Sequence, residues 1–172
     1  RLSLEKELKD AWKNNKQIAL LSHSMGTFIS YDVLWRFSHR NVDDYPQYRD
    51  RKVSLFVTMG SPLGDKTVQD LLFANRYDRE SIRFYPINIQ RWHNYSCLGD
   101  IVSHDSTLGD DFHKKMQKLG LLPSGKDFAR DYVKLYNPFI TVSGKRNPHK
   151  SYGYLVQPKL AKWLVKFLKG EL

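Results

Sequence analysis

The chain has 172 residues, of which 41% are hydrophobic and 13% aromatic, a length at which we expect one domain with a substantial core over residues 1–172. Charged residues interrupt every apolar run before the ~18 residues that a membrane-spanning helix needs, which argues against a membrane span. The formal net charge is +10, but the Lys and Arg residues are spread along the chain without a zinc-finger, RNP or basic-region pattern, so we expect a solvated basic surface and no nucleic-acid partner.

The first half of the chain predicts two helices and two strands in alternation. Apolar residues recur at helical spacing over residues 2–15, as in an amphipathic helix packed on a sheet. Residues 17–21 form an almost continuously apolar run, which is typical of a strand covered on both faces. Residues 25–39 predict a second helix, and residues 53–59 predict a second buried strand.

The second half continues this alternation. Residues 91–96 predict a third, more polar strand, and residues 132–136 predict a fourth. Helical stretches are expected near residues 68–74 and 112–119, and residues 158–168 predict the last helix. Strands that alternate with helices predict an α/β fold with a mainly parallel, doubly wound sheet of about four strands.

The cysteine and histidine residues predict no metal centre, since their spacing matches no recognised zinc site, and we expect no other cofactor. The single cysteine, Cys97, excludes an internal disulfide bond and favours a reducing, cytoplasmic compartment. We interpret His39, His93 and His113 as a helix-end, a strand and a helix-surface residue.

A serine stands between the first strand and the second helix, in the segment Ser22-His23-Ser24-Met25-Gly26. A tight strand-to-helix turn would lift Ser24 Oγ above the sheet edge, and its backbone would require small residues two positions before and after the serine. The Met25 N–H would then point at a developing oxyanion, supported by the helix dipole. His23 should point away from Oγ as a supporting residue. The simpler interpretation of Ser24 is a helix N-cap.

This segment resembles the Gly-x-Ser-x-Gly nucleophile elbow of the α/β-hydrolase superfamily, with Ser22 in place of the first glycine. The resemblance implies a lipase-like serine esterase whose acid and base follow the nucleophile along the chain, each in a loop after a later strand. Asp100, in a segment similar to the superfamily's Asp-x-Val pattern, takes the place of the acid. His149, just ahead of the last helix, takes the place of the base. Asp65 and Asp105 remain alternatives for the acid.

The resemblance also implies the chemistry of a catalytic triad. His149 would accept the proton of Ser24 Oγ, and Asp100 would orient the imidazole while an acyl-enzyme forms and hydrolyses. The expected substrate is a small-molecule or lipid carboxylic ester. Two alternatives are an acyltransferase that uses the same triad and a catalytically silent module that binds other proteins. The loop at residues 60–64 would line the rim of the site.

The superfamily normally has several strands before the nucleophile strand, and one of their loops donates the second oxyanion N–H. We therefore expect a partial α/β-hydrolase fold that lacks these N-terminal strands and has an uncovered edge on its first strand. Because Arg1 is not a start methionine, we expect an upstream segment, or a partner chain, to complete the sheet. The apolar residues of the last helix form one face, and we expect this face to pack on the sheet rather than to lie on a membrane surface. They are Leu160, Trp163, Leu164, Phe167 and Leu168.

Overall fold

The structure, a computed structural model, describes residues 1–39 and 46–172. Within them, four parallel strands form one sheet in the spatial order β1-β2-β3-β4. The strands are β1 (Ala19–His23), β2 (Leu55–Met59), β3 (Trp92–Cys97) and β4 (Ala129–Leu135). This arrangement confirms the predicted α/β class, and each strand lies within three residues of its predicted start.

The helices flank this sheet. They are α1 (Leu2–Lys13), α2 (Met25–His39), α3 (Lys66–Gln69), α4 (Lys114–Lys118), α5 (Ser151–Leu155) and α6 (Pro158–Leu168). The bounds of α2 and α6 agree with the prediction. The two expected middle helices are shorter than predicted, since a 3-10 turn (Phe73–Arg76) follows α3 and a π-helical turn (Gly109–His113) precedes α4. We did not predict α5.

Two apolar clusters cover the two faces of the sheet. Phe56 of β2 and Trp92 of β3 belong to the cluster beneath α1 and α2. Leu55 and Val57 belong to the other, which α6 closes with Trp163. Alternate residues of a strand point to opposite faces, so neighbouring residues of β2 serve different clusters. The sheet is therefore covered on both sides, which is why the inner strand β2 is apolar and buried along its whole length.

Helix α6 packs on the sheet through Leu160 and Trp163, both buried, and the Trp163 indole N–H donates to the Tyr132 hydroxyl over 2.8 Å. Leu168 is 81% exposed, so its predicted place on the packed face is wrong. Leu168 is the last residue of the helix, and the partly buried Leu164 and Leu172 pack against the cluster that contains Trp163 instead. No helix of the described ranges is both long and apolar enough to span a bilayer.

Strand β1 forms one edge of the sheet, as predicted, and its residues Ala19, Leu20 and Leu21 are half-buried. Because the strands are parallel, their carboxyl ends all meet at one edge of the sheet. The segments that follow β1, β3 and β4 contain Ser24, Asp100 and His149, respectively.

Candidate active site

Ser24 occupies the turn between β1 and α2 in a left-handed backbone conformation, with φ +56°. This conformation is uncommon for a residue with a Cβ and persists where the surroundings impose it. Here the Ser24 N–H donates to the Met59 carbonyl over 3.0 Å. The Ser24 carbonyl accepts from the backbone N–H of Thr27 at 3.0 Å and from its hydroxyl at 2.8 Å. The end of β2 and the first turn of α2 thus fix the serine.

The two small residues that flank this turn have different environments. Ser22 is buried, and its hydroxyl lies 2.7 Å from that of Ser30 on α2, so a serine satisfies its polar group where the superfamily pattern has glycine. The predicted need for a small residue at Gly26 is wrong. Among residues 1–39 and 46–172, a Cβ at Gly26 would meet nothing within 4 Å beyond its own helix and neighbours.

His149 joins the serine to Asp100. Its Nε2 lies 2.8 Å from Ser24 Oγ, and its Nδ1 lies 3.0 and 2.9 Å from the two carboxylate oxygens of Asp100. Since a carboxylate only accepts, Nδ1 carries the proton and Nε2 is free to accept from the serine hydroxyl. The structure therefore brings together the three side chains that the sequence singled out, in the order serine, histidine, carboxylate.

The Asp100 side chain is fully buried and is held by three donors. Besides His149, the Val102 N–H donates to Oδ1 over 3.0 Å, and the Tyr154 hydroxyl donates to Oδ2 over 2.5 Å. Burial raises the pKa of Asp100, but the hydrogen bonds from Tyr154 and His149 outweigh it and hold that pKa below its ordinary value. The carboxylate is therefore ionised at neutral pH.

Tyr154 is the site residue that our sequence analysis missed. It lies on α5, its side chain is fully buried, and its oxygen also accepts from the Cys97 N–H over 3.1 Å. Burial, together with the bond to Asp100, raises the pKa of Tyr154, so the phenol keeps its proton and remains a donor. Its partner lies 54 residues earlier in the chain, and no local pattern of the sequence indicates such a contact.

His23 supports the loop of His149 and does not contact the serine hydroxyl in the described structure. Its Nε2 donates to the His149 carbonyl over 2.7 Å, and the two imidazole centroids lie 4.6 Å apart. Burial lowers the pKa of His23, which favours its neutral form. This agrees with the supporting position that we predicted for it.

Gly60 lies against Asp100 and His149 at the end of β2, as expected of the loop at residues 60–64. Its φ is +53°, and a Cβ there would lie 2.8 Å from Asp100 Oδ2 and 3.1 Å from His149 Nδ1. Both the backbone conformation and the close approach require glycine at this position.

Met25 is the first residue of α2, and its side chain is half exposed. The backbone N–H of a first helical residue has no acceptor within its own helix. It therefore remains available beside Ser24, at the positive end of the dipole of a 15-residue helix.

The two alternative acids have other roles. Asp65 caps α3, since its Oδ1 accepts from the Thr67 N–H over 2.7 Å, and its Oδ2 lies 3.4 Å from the exposed His104. Asp105 packs against Gly64, where a Cβ would approach its backbone oxygen to 2.7 Å. The carboxylate in contact with His149 is that of Asp100.

The other histidines lie outside this site. His39 lies at the end of α2, and His93 is buried in β3, as predicted. The predicted surface position of His113 is wrong, because the π-helical turn directs it inward, with its ring centroid 5.2 Å from that of Trp92. Burial lowers the pKa of His93 and that of His113 to about 4.

In the part of the chain that the structure describes, no group of three His, Cys, Asp or Glu residues could hold a metal ion. Cys97 is buried beside the site, and burial raises the pKa of its thiol to about 11. No protein-family model, curated protein or solved structure matches this chain.

Proposed function

We propose that this chain is a serine hydrolase that cleaves carboxylic esters through an acyl-enzyme on Ser24, with His149 as base and Asp100 as orienting acid. One observation carries the proposal: His149 Nε2 lies 2.8 Å from Ser24 Oγ, while a buried, ionised carboxylate holds its Nδ1. A base in contact with the nucleophile and itself oriented by a third group is the arrangement that activates a serine.

The reaction begins when Ser24 Oγ attacks the ester carbonyl carbon and its proton passes to His149 Nε2. Asp100 stabilises the imidazolium and keeps Nδ1 protonated. The oxyanion of the tetrahedral intermediate would face the free N–H of Met25. When the intermediate collapses, the alkoxide leaves with the proton from Nε2, and the acyl group remains on Ser24.

Water completes the cycle. His149 removes a proton from a water molecule, whose oxygen attacks the acyl carbon, and a second tetrahedral intermediate forms. Its collapse releases the carboxylic acid and returns the proton from Nε2 to Ser24 Oγ. An acceptor alcohol in place of water would give the acyltransferase alternative.

The proposal includes membership of the α/β-hydrolase superfamily. In this assignment β1 is the nucleophile strand, the segments after β3 and β4 provide the acid and the base, and α6 is the helix that follows the base. The chain order of serine, aspartate and histidine is the order of that superfamily.

Hydrolysis of p-nitrophenyl butyrate tests the proposal. We expect the wild-type protein to release p-nitrophenolate, and we expect Ser24→Ala to lower kcat by at least ~10³-fold. Ser30→Ala is the matched control, since it removes a buried hydroxyl of α2 that contacts Ser22 rather than His149. Equal turnover by Ser24→Ala and the wild type, or no turnover by the wild type above buffer, would contradict the proposal.

A further inference from the structure

The segment that contains His149 is strongly basic. Residues 132–170 contain eight Lys or Arg and no Asp or Glu, although the whole chain has 18 acidic residues. The cations are Lys134, Lys145, Arg146, Lys150, Lys159, Lys162, Lys166 and Lys169. A segment with cations alone, on a chain with a net charge of +10, favours an anionic partner.

A small hairpin projects from this segment between β4 and α5. Ile140 forms an antiparallel bridge with Arg146, and the Thr141 N–H donates to the Lys145 carbonyl over 2.8 Å. At the tip, Val142 is fully exposed, and Ile140 is 57% exposed beside it. We call residues 139–147 the basic hairpin. Its exposed side chains are the aliphatic Val142 and Ile140, the polar Ser143 next to Val142, and the cationic Lys145 and Arg146.

The base of the hairpin is fixed to the loop of His149. The Asn137 amide donates to the Pro148 carbonyl over 2.7 Å and to the Lys150 carbonyl over 2.9 Å, and its oxygen accepts from the Phe139 N–H. Asn137 is buried against Gly153, where any Cβ would collide with its side chain. The hairpin therefore has a defined position relative to the candidate active site.

The apolar and basic surface continues from the hairpin to the loop of Asp100. A cleft is lined by Leu98 and Gly99 of that loop together with Tyr136, Arg146 and Pro148. Leu98 is 72% exposed. Ile101, on the other side of Asp100, is 83% exposed. Exposed aliphatic side chains thus border the candidate site on the loops of both its acid and its base.

We infer that this rim docks on an anionic lipid surface, with the aliphatic tip of the basic hairpin inserted among the lipids and its cations at the headgroups. A membrane surface offers an apolar layer next to a plane of phosphates. The apolar layer is complementary to Val142 and Ile140, and the phosphates are complementary to Lys145 and Arg146.

A nucleic acid fits these side chains less well. It offers phosphates to the cations but no apolar layer to Val142 and Ile140. The exposed aromatic rings that could stack on bases are already in contact with cationic side chains of the protein. The Arg146 guanidinium lies 4.6 Å from the centroid of the Tyr136 ring, and the Lys150 ammonium lies 5.5 Å from that of the Tyr152 ring.

Docking by this rim would bring Ser24 to the boundary between headgroups and acyl chains. The substrate would then be an ester of a membrane lipid; this assignment of substrate rests on the proposed function, whereas the docking itself does not.

Co-sedimentation with vesicles tests the docking. We expect the protein to bind vesicles of phosphatidylcholine mixed with phosphatidylserine and not vesicles of phosphatidylcholine alone. Each cation near such a surface contributes about fivefold in partitioning, so Lys145→Glu with Arg146→Glu, which removes two cations and adds two carboxylates, should weaken binding by at least about 25-fold. Val142→Asp should also weaken binding, and because this side chain is fully exposed, its replacement leaves the fold intact.

The matched control is Lys13→Glu with Lys16→Glu, which changes the net charge equally but lies before β1, at the opposite edge of the sheet. We expect it to bind within about twofold of the wild type. Equal weakening by the two double variants would overturn the inference, since net charge alone would then explain binding. The inference would also be overturned if Val142→Asp bound the mixed vesicles as tightly as the wild type does, or if the protein bound a DNA duplex more tightly than the mixed vesicles.

Measurements on Ser24→Ala separate the two proposals, since this variant should bind the vesicles as the wild type does. Vesicle binding by a wild-type protein that hydrolyses no ester would contradict the proposed function alone. Hydrolysis of p-nitrophenyl butyrate without vesicle binding would overturn the docking alone.

Discussion

Tyr154 donates a hydrogen bond of 2.5 Å to Asp100, and the same phenol oxygen accepts one from the Cys97 backbone at the end of β3. The tyrosine therefore ties the candidate acid to the sheet. We expect Tyr154→Phe to lower kcat for ester hydrolysis about tenfold at unchanged KM, since a hydrogen bond to a charged group is worth roughly 1.5–3 kcal/mol.

The pH profile distinguishes this positioning effect from a general loss of stability. Without the Tyr154 donor, the pKa of Asp100 should rise, because that bond is one of the interactions that hold it down. Activity should then be lost at a higher pH on acidification than in the wild type. Tyr85→Phe, which removes a buried donor to the Arg79 carbonyl, is the control, and we expect it to cost about 1 kcal/mol of stability without moving the profile.

Isosteric replacement of the three carboxylates identifies the acid. Asp100→Asn should lower kcat by up to ~10⁴-fold, since the amide would hold His149 in the wrong tautomer. Asp65→Asn should preserve the cap of α3, since Asn caps a helix as well as Asp does, and should change kcat little. Asp105→Asn should behave like Asp65→Asn. A larger loss of kcat in either of these two variants than in Asp100→Asn would refute the assignment.

Gly60→Ala should disrupt the site by sterics. The added Cβ would approach Asp100 Oδ2 to 2.8 Å, and a displacement of about 1 Å at a catalytic contact can cost ~10²-fold in rate. Gly120 has a similar left-handed backbone, with φ +72°, but a Cβ there would meet nothing within 4 Å. Gly120→Ala should therefore show the backbone cost of about 1–2 kcal/mol in thermal unfolding with kcat unchanged.

Folding stability should fall on mild acidification because of His93 and His113. Burial lowers both pKa values from 6.5 to about 4, so the unfolded chain binds protons before the folded one does. The contribution of each neutral, buried histidine to the free energy of unfolding is complete above about pH 6.5 and is lost as the pH falls towards about 4. Between about pH 7.5 and pH 5 we expect a loss of about 2 kcal/mol from His93 in urea unfolding, and His93→Gln should remove this part of the pH dependence.

The sequence predicts the strands and the turn at Ser24 because their signals are local. A buried strand is a short apolar run, and the turn at Ser24 lies where a strand pattern meets a helix pattern. Asp100 and His149 follow from the resemblance to the α/β-hydrolase superfamily, whose acid and base lie in loops after later strands. The sequence favours Asp100 over Asp65 and Asp105, and in the structure the Asp100 carboxylate lies against His149.

The errors have physical causes. Helix α5 is only five residues long, too short for a periodic pattern, so Tyr154 was missed with it. His113 stands among the charged residues Asp110, Asp111 and Lys114, which resemble an exposed helix, but a π-helical turn changes which residues of a segment share a face. Gly26 matches the Gly-x-Ser-x-Gly pattern, but none of the described residues outside its own helix and neighbours comes close enough to exclude a side chain there.

The most direct test of the central claim is to treat the protein with a fluorophosphonate probe and to map the adduct by peptide mass spectrometry. We predict one adduct, on Ser24 Oγ, formed with loss of fluoride, strongly slowed in His149→Ala and absent from Ser24→Ala. An adduct on a different residue, or labelling of Ser24→Ala at the wild-type rate, would contradict the account.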